Sequence, residues 1–217
     1  MGGFNIETHW LGRITYEKAL TKQETLVEKV FHGEICDQLL LLEHDPVITI
    51  GRTRDQSSLT DRPTSLPVIE TNRGGQATYH GPGQLVGYPI LNLHHYGKDL
   101  HRYLRAIEEG ILLIARSQGI TARRRESLTG VWVEDRKLAS IGIGVRRWVS
   151  MHGFALNVCG TLDGFQAIIP CGIEGVEMTS LEREGTGCGL SVSDVASGAA
   201  EIIPQVLRTL AEQTPNA

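Results

Sequence analysis

The chain has 217 residues, 41% of them hydrophobic and 21% charged, with a formal net charge of −4 at neutral pH. That length supports one substantial core and a single domain over residues 1–217, and the composition is that of a soluble globular protein. The acidic balance excludes general nucleic-acid affinity, which needs a strong positive field, and no apolar run reaches the roughly eighteen residues of a membrane span. Met1 to Ile14 lacks the charged-then-apolar profile of a secretory signal, and Ile6 stands where a myristoylation motif carries Ser or Thr, so a cytoplasmic protein without a membrane partner is expected.

From Thr15 to Phe31, Ala19, Leu20, Leu26, Val27, Val30 and Phe31 recur at helical spacing with charges opposite, which predicts an amphipathic helix. Gln38 to Glu43, with Leu39 to Leu42 in succession, and Pro46 to Gly51 are short apolar runs between turn residues and predict two buried strands. A polar connection from Arg52 to Pro67 leads through a strand at Val68-Ile69-Glu70 into a run of another character: Arg73, Gly74, Gly75, Gln76, Ala77, Thr78, Tyr79, His80, Gly81, Pro82, Gly83 and Gln84. Leu85 to Leu91 reads as strand again, so this run is a loop mounted rigidly between two strands, a placement suited to a binding site. Neither phosphate-loop pattern occurs in it, and Pro82 removes an N–H that a phosphate cradle would use. The loop suits the wall of a cleft, with Tyr79 and His80 supplying hydrogen bonds and Arg73 able to hold a carboxylate, phosphate or carbonyl oxygen.

A second amphipathic helix is predicted from Asp99 to Gln118, ended by Gly119. Gly130 to Val133, a turn at Glu134-Asp135-Arg136, and Leu138 to Ile143 read as a β-hairpin, with a further strand from Gly153 to Val158. The last helix begins after Ser191, an N-cap with Asp194 three residues on; Pro204 is expected to kink or divide it, and the residues beyond Gln213 to fray. Strands and helices interleave without regular βαβ alternation, which predicts an α/β (α+β) fold, a mixed sheet packed by helices.

The four cysteines, Cys36, Cys159, Cys171 and Cys188, form no C-x-x-C pair and have no histidine at zinc-ligand spacing, so neither a metal site nor a disulfide scaffold is expected. Cys171, in Ile169-Pro170-Cys171-Gly172, has two readings: a buried small hydrophobe, or a nucleophile presented on a tight turn whose backbone N–H groups face a developing oxyanion. Cys36 and Cys159 fit the buried reading, while the spacing leaves Cys188 open. Lys137, just after the hairpin turn, reads as a solvated surface lysine. Arg102, Arg105, Arg123, Arg124, Arg125, Arg146 and Arg147 are either solvated surface or a docking patch for an acidic partner.

Taken together, the Arg73 to Gln84 run, Gly130-Val131-Trp132-Val133, Lys137 to Gly142, His152 to Val158 and Pro170-Cys171-Gly172-Ile173 resemble the lipoyl(octanoyl) transferases in several ordered blocks. Glu43-His44-Asp45-Pro46-Val47 resembles that family's His-Pro-Pro-Val block, with Asp45 in place of a proline. The resemblance implies the fold of the biotin and lipoate protein ligase catalytic domain. It implies transfer of an octanoyl group from octanoyl-acyl carrier protein to a lysine of lipoyl domains, in the E2 subunits of 2-oxoacid dehydrogenases and in the glycine cleavage H protein, as the first step of protein lipoylation.

No cofactor is implied, since a thioester is already activated and amide formation runs downhill without ATP. By the same resemblance Cys171 is the nucleophile and Lys137 its partner, whose ammonium favours the thiolate and, once neutral, takes a proton from the incoming amine. Arg73, Gly74, Gly75, Gln76, Ala77, Thr78, Tyr79 and His80, with Ser140, Ile141, Gly142, Gly153, Phe154 and Ala155, are carried over as the substrate-binding walls. In such a pocket a chain two carbons short loses about 1.6 kcal/mol, roughly tenfold, so chain-length preference is soft. Two rivals stand beside this reading: an ATP-dependent lipoate or biotin ligase, which needs an ATP site, and a non-catalytic acyl-binding protein.

Overall fold

The computed structural model describes residues 5–60, 64–173, 175–185 and 189–214. Cys188, the Met1-Gly2 pair and residues 215–217 therefore lie outside the described residues, as does part of the polar connection before the glycine-rich run.

Eight strands form one mixed sheet. They are β1 (Ile6–Ile14), β2 (Asp37–His44), β6 (Gln84–Ile90), β7 (Arg123–Arg125), β8 (Leu128–Val133), β9 (Arg136–Arg146), β10 (Val149–Asn157) and β11 (Glu177–Met178). Their order is β1-β2-β6-β10-β9-β8-β7, with β11 joined to β9. The β1–β2 and β9–β11 pairs are parallel, and the remaining neighbours antiparallel. A smaller sheet, β4-β3-β5, is built from β3 (Val47–Ile50), β4 (Val68–Glu70) and β5 (Thr78–His80). The predicted loop from Arg73 to Gln84 thus carries a short strand inside it. Residues 78–80 pair antiparallel with β3, and this pairing fixes the middle of the glycine-rich run.

The leucines of β2 are buried on both faces because helices cover both sides of the sheet. On one side, α2 (Leu100–Ser117) and α4 (Val192–Glu212), the latter preceded by the single-turn helix α3 (Leu181–Glu184), pack with Leu39, Leu41, Leu85, Val131 and Leu156 into the largest apolar cluster. On the other, α1 (Tyr16–Phe31) lays Ala19, Val27 and Val30 against Leu40, Leu42 and Val86. Side chains of Thr15, Asp99 and Ser191 cap the first turns of these helices, each worth about 1 kcal/mol. Pro204 lies inside one continuous helix and does not divide it. Its turn is buried against α2, where Gly110 lets Ile203 approach more closely than any Cβ would.

A third, small cluster of Ile48, Ala77, Phe165, Ile168 and Met178 lies under the smaller sheet. Two long connections are pinned together there: Leu59 bridges Ile168, Ile169 N donates to Ser58 O at 2.6 Å, and Thr60 N donates to Ala167 O at 3.1 Å. The first strand was hidden by its mostly part-buried and exposed residues, and β7 by consisting of three arginines at the sheet's edge. β10 starts earlier than the predicted Gly153, at Val149. Among the described residues no helix is long and apolar enough to cross a membrane.

Candidate active site

Cys171 sits in a short 3-10 turn, Pro170–Gly172, and adopts φ 55°, a left-handed conformation uncommon for a residue with a side chain. Gly172 follows at φ +67°, and a Cβ there would stand 1.5 Å from Gln76 Oε1. The turn is pressed against the Gln76 amide, which also accepts from Ser58 Oγ at 2.7 Å, and the positive φ at Gly172 favours glycine there. The sulfur meets Lys137, whose Nζ donates to Cys171 Sγ at 3.1 Å, and Ser140 Oγ lies 3.9 Å from the same atom.

Lys137 is no surface residue: it is 1% exposed. A bulge between Val131 and Trp132 changes the β8–β9 register beside it, β11 covers its strand through the pairing of Met178 with Lys137, and Nζ lies 5.2 Å from the Trp132 ring centre. The space for its stem is left by Gly130, where a Cβ would come within 2.9 Å of Lys137 Cε. Gly130 N in turn donates to Glu108, a carboxylate with 1% of its side chain exposed that is held by Arg105 and Arg124. A buried ammonium is costly unless something negative or strongly polar answers it, and the Cys171 sulfur is what stands there.

The sulfur lies in the wall of a cavity between the glycine-rich run and strands β9 and β10. Of the residues expected to bind substrate, Arg73, Gly74, Gly75, Gln76, Thr78, His80, Ser140, Ile141, Gly142, Gly153, Phe154 and Ala155 line it. Two do not. Ala77 is fully buried in the small apolar cluster, and its carbonyl accepts Cys171 N at 3.1 Å. Tyr79, the outward residue of β5, packs edge-on against Phe165. Strand alternation explains the split, since Thr78 and His80 face the cavity while Tyr79 faces away.

Sequence reasoning missed Tyr16, Tyr88 and His152, which also line the cavity, and Thr49, Gln84 and Asn157 behind it. Burial holds the ring pKa of His152 at about 4, aided by Arg73, and that of His44 at about 4. His80 is pushed well below the usual histidine range, by burial first and then by His44 and Arg73. Burial raises the Tyr16 hydroxyl to about 12. The cavity therefore holds neutral rings and hydroxyls around one buried guanidinium, that of Arg73.

Two expectations fail on geometry. The backbone N–H groups of the turn are spent, since Cys171 N donates to Ala77 O, Gly172 N to Ile169 O and Ile173 N to Pro170 O, at 3.1, 3.0 and 3.1 Å. They cannot face an oxyanion. The arginines do not form one patch either: Arg146 and Arg147 pair with Glu28 on α1, Arg123 and Arg125 with Asp135, and Arg105 and Arg124 with Glu108. The first group lies at one end of β9 and the second at the other, about 30 Å apart along the strand. Asp45, which replaces a proline in the His-Pro-Pro-Val block, is half-exposed and pairs with Arg13 at 2.8 Å.

Residues 15–203 match the family model of the lipoyl protein ligase A/B catalytic domain. The chain is 49% identical over 199 residues to the octanoyltransferase of Syntrophotalea carbinolica, covering 92% of this chain and 93% of that one. It is 52% identical over 190 residues to the octanoyltransferase of Geobacter sulfurreducens, covering 88% and 80%. Among solved structures, a lipoate protein ligase from T. acidophilum with bound lipoic acid superposes at a TM-score of 0.69 with 14% identity, covering 95% of this chain and 93% of that one. Lipoate-protein ligase A bound with ATP superposes at 0.61 with 14% identity, covering 98% and 95%. The biotin protein ligase of Aquifex aeolicus gives 0.52 with 17% identity, covering 97% and 73%. These structures share the fold.

Proposed function

We propose, from the premise that this chain belongs to the lipoyl protein ligase A/B catalytic-domain family and is an octanoyltransferase, that it takes its octanoyl group from octanoyl-acyl carrier protein and passes it through a thioester on Cys171 to a specific lysine of a lipoyl domain. The observation that carries this reading is Lys137 Nζ at 3.1 Å from Cys171 Sγ, beside a cavity walled by Ile141, Phe154 and Ala155.

In the first half-reaction the Cys171 thiolate attacks the thioester carbon of the donor. A carbon–sulfur bond to Cys171 forms, the carbonyl electron pair moves onto oxygen, and collapse breaks the bond to the donor sulfur, which leaves with a proton from the Lys137 ammonium. In the second, the amine of the acceptor lysine attacks the acyl-cysteine and its proton passes to the now neutral Lys137. The Cys171 thiolate departs, and thiolate and ammonium are both restored.

The acceptors are lipoyl domains of 2-oxoacid dehydrogenase E2 subunits and the glycine cleavage H protein. A T. acidophilum ligase of the same fold is described together with its E2 lipoyl domain, which supports this acceptor class. An ATP-dependent ligase would activate its acid as an adenylate and has no use for a buried lysine answered by a cysteine. The test is intact-mass analysis after exposure to octanoyl-acyl carrier protein. One octanoyl increment on Cys171, removable by hydroxylamine, is expected; an unmodified protein, or an adduct that survives Cys171→Ala, overturns the covalent route.

A further inference from the structure

We infer that Arg73 takes up the negative charge that forms on the thioester carbonyl oxygen, and that Thr49 and His80 are the positioning residues that aim it. The inference rests on the acyl-transfer reading above.

Acyl transfer needs a donor for the oxyanion, and the amides beside Cys171 are already bonded. Arg73 is the charged donor on the cavity wall, 7% exposed, and no carboxylate pairs with it among the described residues. The ionisable groups that act on it electrostatically are Tyr16, Cys171 and Tyr88. Its N–H groups can be counted. Nε donates to Thr49 Oγ1 at 3.2 Å, Nη2 to Thr49 Oγ1 at 2.8 Å and to Thr49 O at 2.6 Å, and Nη1 to Gly74 O at 3.0 Å. A guanidinium carries five N–H bonds, so one on Nη1 has no acceptor among the described residues. A Cβ at Gly75 or at Gly142 would stand 3.6 Å from that nitrogen, so two residues without side chains border it and leave it open to the cavity.

Thr49 Oγ1 receives two N–H bonds from Arg73, and its own hydrogen goes to His80 Nε2, 3.4 Å away. The direction follows from the other side of the ring. Gln84 Nε2 gives its two hydrogens to Asn157 Oδ1 and Tyr79 O, at 2.9 and 3.2 Å, so the Gln84 atom 2.8 Å from His80 Nδ1 is an oxygen. Nδ1 therefore carries the ring hydrogen, and Nε2 of the neutral ring is a bare acceptor for Thr49. His80 holds its proton away from the cavity. Its part is to orient Thr49, which orients Arg73, and not to move a proton in the reaction.

Thr49→Val keeps the shape and removes the hydroxyl. With octanoyl-pantetheine as donor, the single-turnover acylation rate at saturation is expected to fall about 10- to 100-fold while the half-saturating concentration moves less than about threefold. Alkylation of Cys171 by iodoacetamide should stay at the wild-type rate, and Thr49→Ser should recover acylation to within about threefold. An unchanged rate at saturation, or a loss confined to half-saturation, overturns the assignment. Should Thr49→Val not fold, ¹⁵N resonances of the histidines in the wild-type protein decide. A neutral Nδ1–H ring for His80 between pH 6 and 8 is required, and a cationic ring or an Nε2–H tautomer overturns it. A wild-type protein that forms no adduct removes the acyl-transfer reading itself, whereas equal adduct formation in wild type and Thr49→Val removes only the role of Arg73.

Discussion

The stretch from Arg73 to Gln84 and the pair Lys137 and Cys171 reach the same cavity by opposite means. The first is wired: Arg73, Thr49, His80, Gln84, Asn157 and Thr179 follow one another in hydrogen bonds, and its one ring, that of His80, is held neutral by burial. The second rests on one short contact, a strand lysine against a turn cysteine thirty-four positions away, with Ser140 Oγ more distant at 3.9 Å from the sulfur. In the proposed route, a surface that holds an acyl thioester in one pose profits from many mutually fixed groups. A pair that must exchange a proton and a bond profits from having few, because each added partner would compete for the sulfur or the amine.

The largest effect that tests this contrast is at the pair. Cys171→Ala and Lys137→Met should each lower turnover by roughly a thousandfold or more, and the double variant should lose no more than the worse single one, as groups acting as a unit do. Near-additive losses in steady-state transfer would mean that the two act separately. Acid stability sharpens the other side. His44 and His152 have folded pKa values of about 4 against 6.5 when unfolded, so above pH 6.5 both are neutral in either state. As pH falls from 6.5 toward 4 the unfolded chain binds protons that the fold refuses, and stability declines; His80 adds in the same direction. His44 and His152 should each cost roughly 2 kcal/mol by pH 5, read as a lower urea midpoint, and a flat midpoint from pH 7 to 5 would refute neutral rings at the site.

The smallest effect lies on the surface. Because the arginine groups stand at opposite ends of β9, a carrier docking at one end leaves the other untouched. Charge reversal by Arg146→Glu and by Arg123→Glu should therefore differ by a few-fold in kcat/KM with acyl carrier protein at low salt, and the difference should shrink as salt rises. Equal sensitivity at both ends would argue for two contact surfaces.

The contrast also explains what could be read in advance. Helices α1, α2 and α4 and the strands β2, β3, β4, β6, β8 and β9 were legible because each has a clear apolar period or run with turn residues at its ends. The glycine-rich wall was legible because its composition has no packing explanation. Lys137 was not, since a lysine one residue past the residues that close a hairpin looks solvated. What buries it is the distant segment Glu177–Met178, together with a missing side chain at Gly130. Thr49 is one more β-branched residue in a strand, Gln84 and Asn157 stand at strand ends, and nothing local marks them as partners; only the sheet brings them to His80. The oxyanion role expected of the turn failed for a related reason: the acceptors that consume its amides include Ala77, nearly a hundred residues upstream.

One of those bonds has a mechanical consequence. Asn157 Nδ2 donates to Thr179 O at 2.9 Å, tying together two points twenty-two residues apart, and Cys171 rides on the excursion between them. Cys171, the nucleophile of the proposed route, is thus carried on a lasso whose neck is fastened to the core, while Lys137 belongs to the sheet itself. Opening of the whole excursion, which the Ile169–Ser58 and Cys171–Ala77 bonds also fasten, would free the sulfur and uncover the lysine that Met178 pairs with. An opening of this segment alone parts Cys171 from Lys137 with the main core intact, so that contact can be lost at a lower free-energy cost than global unfolding.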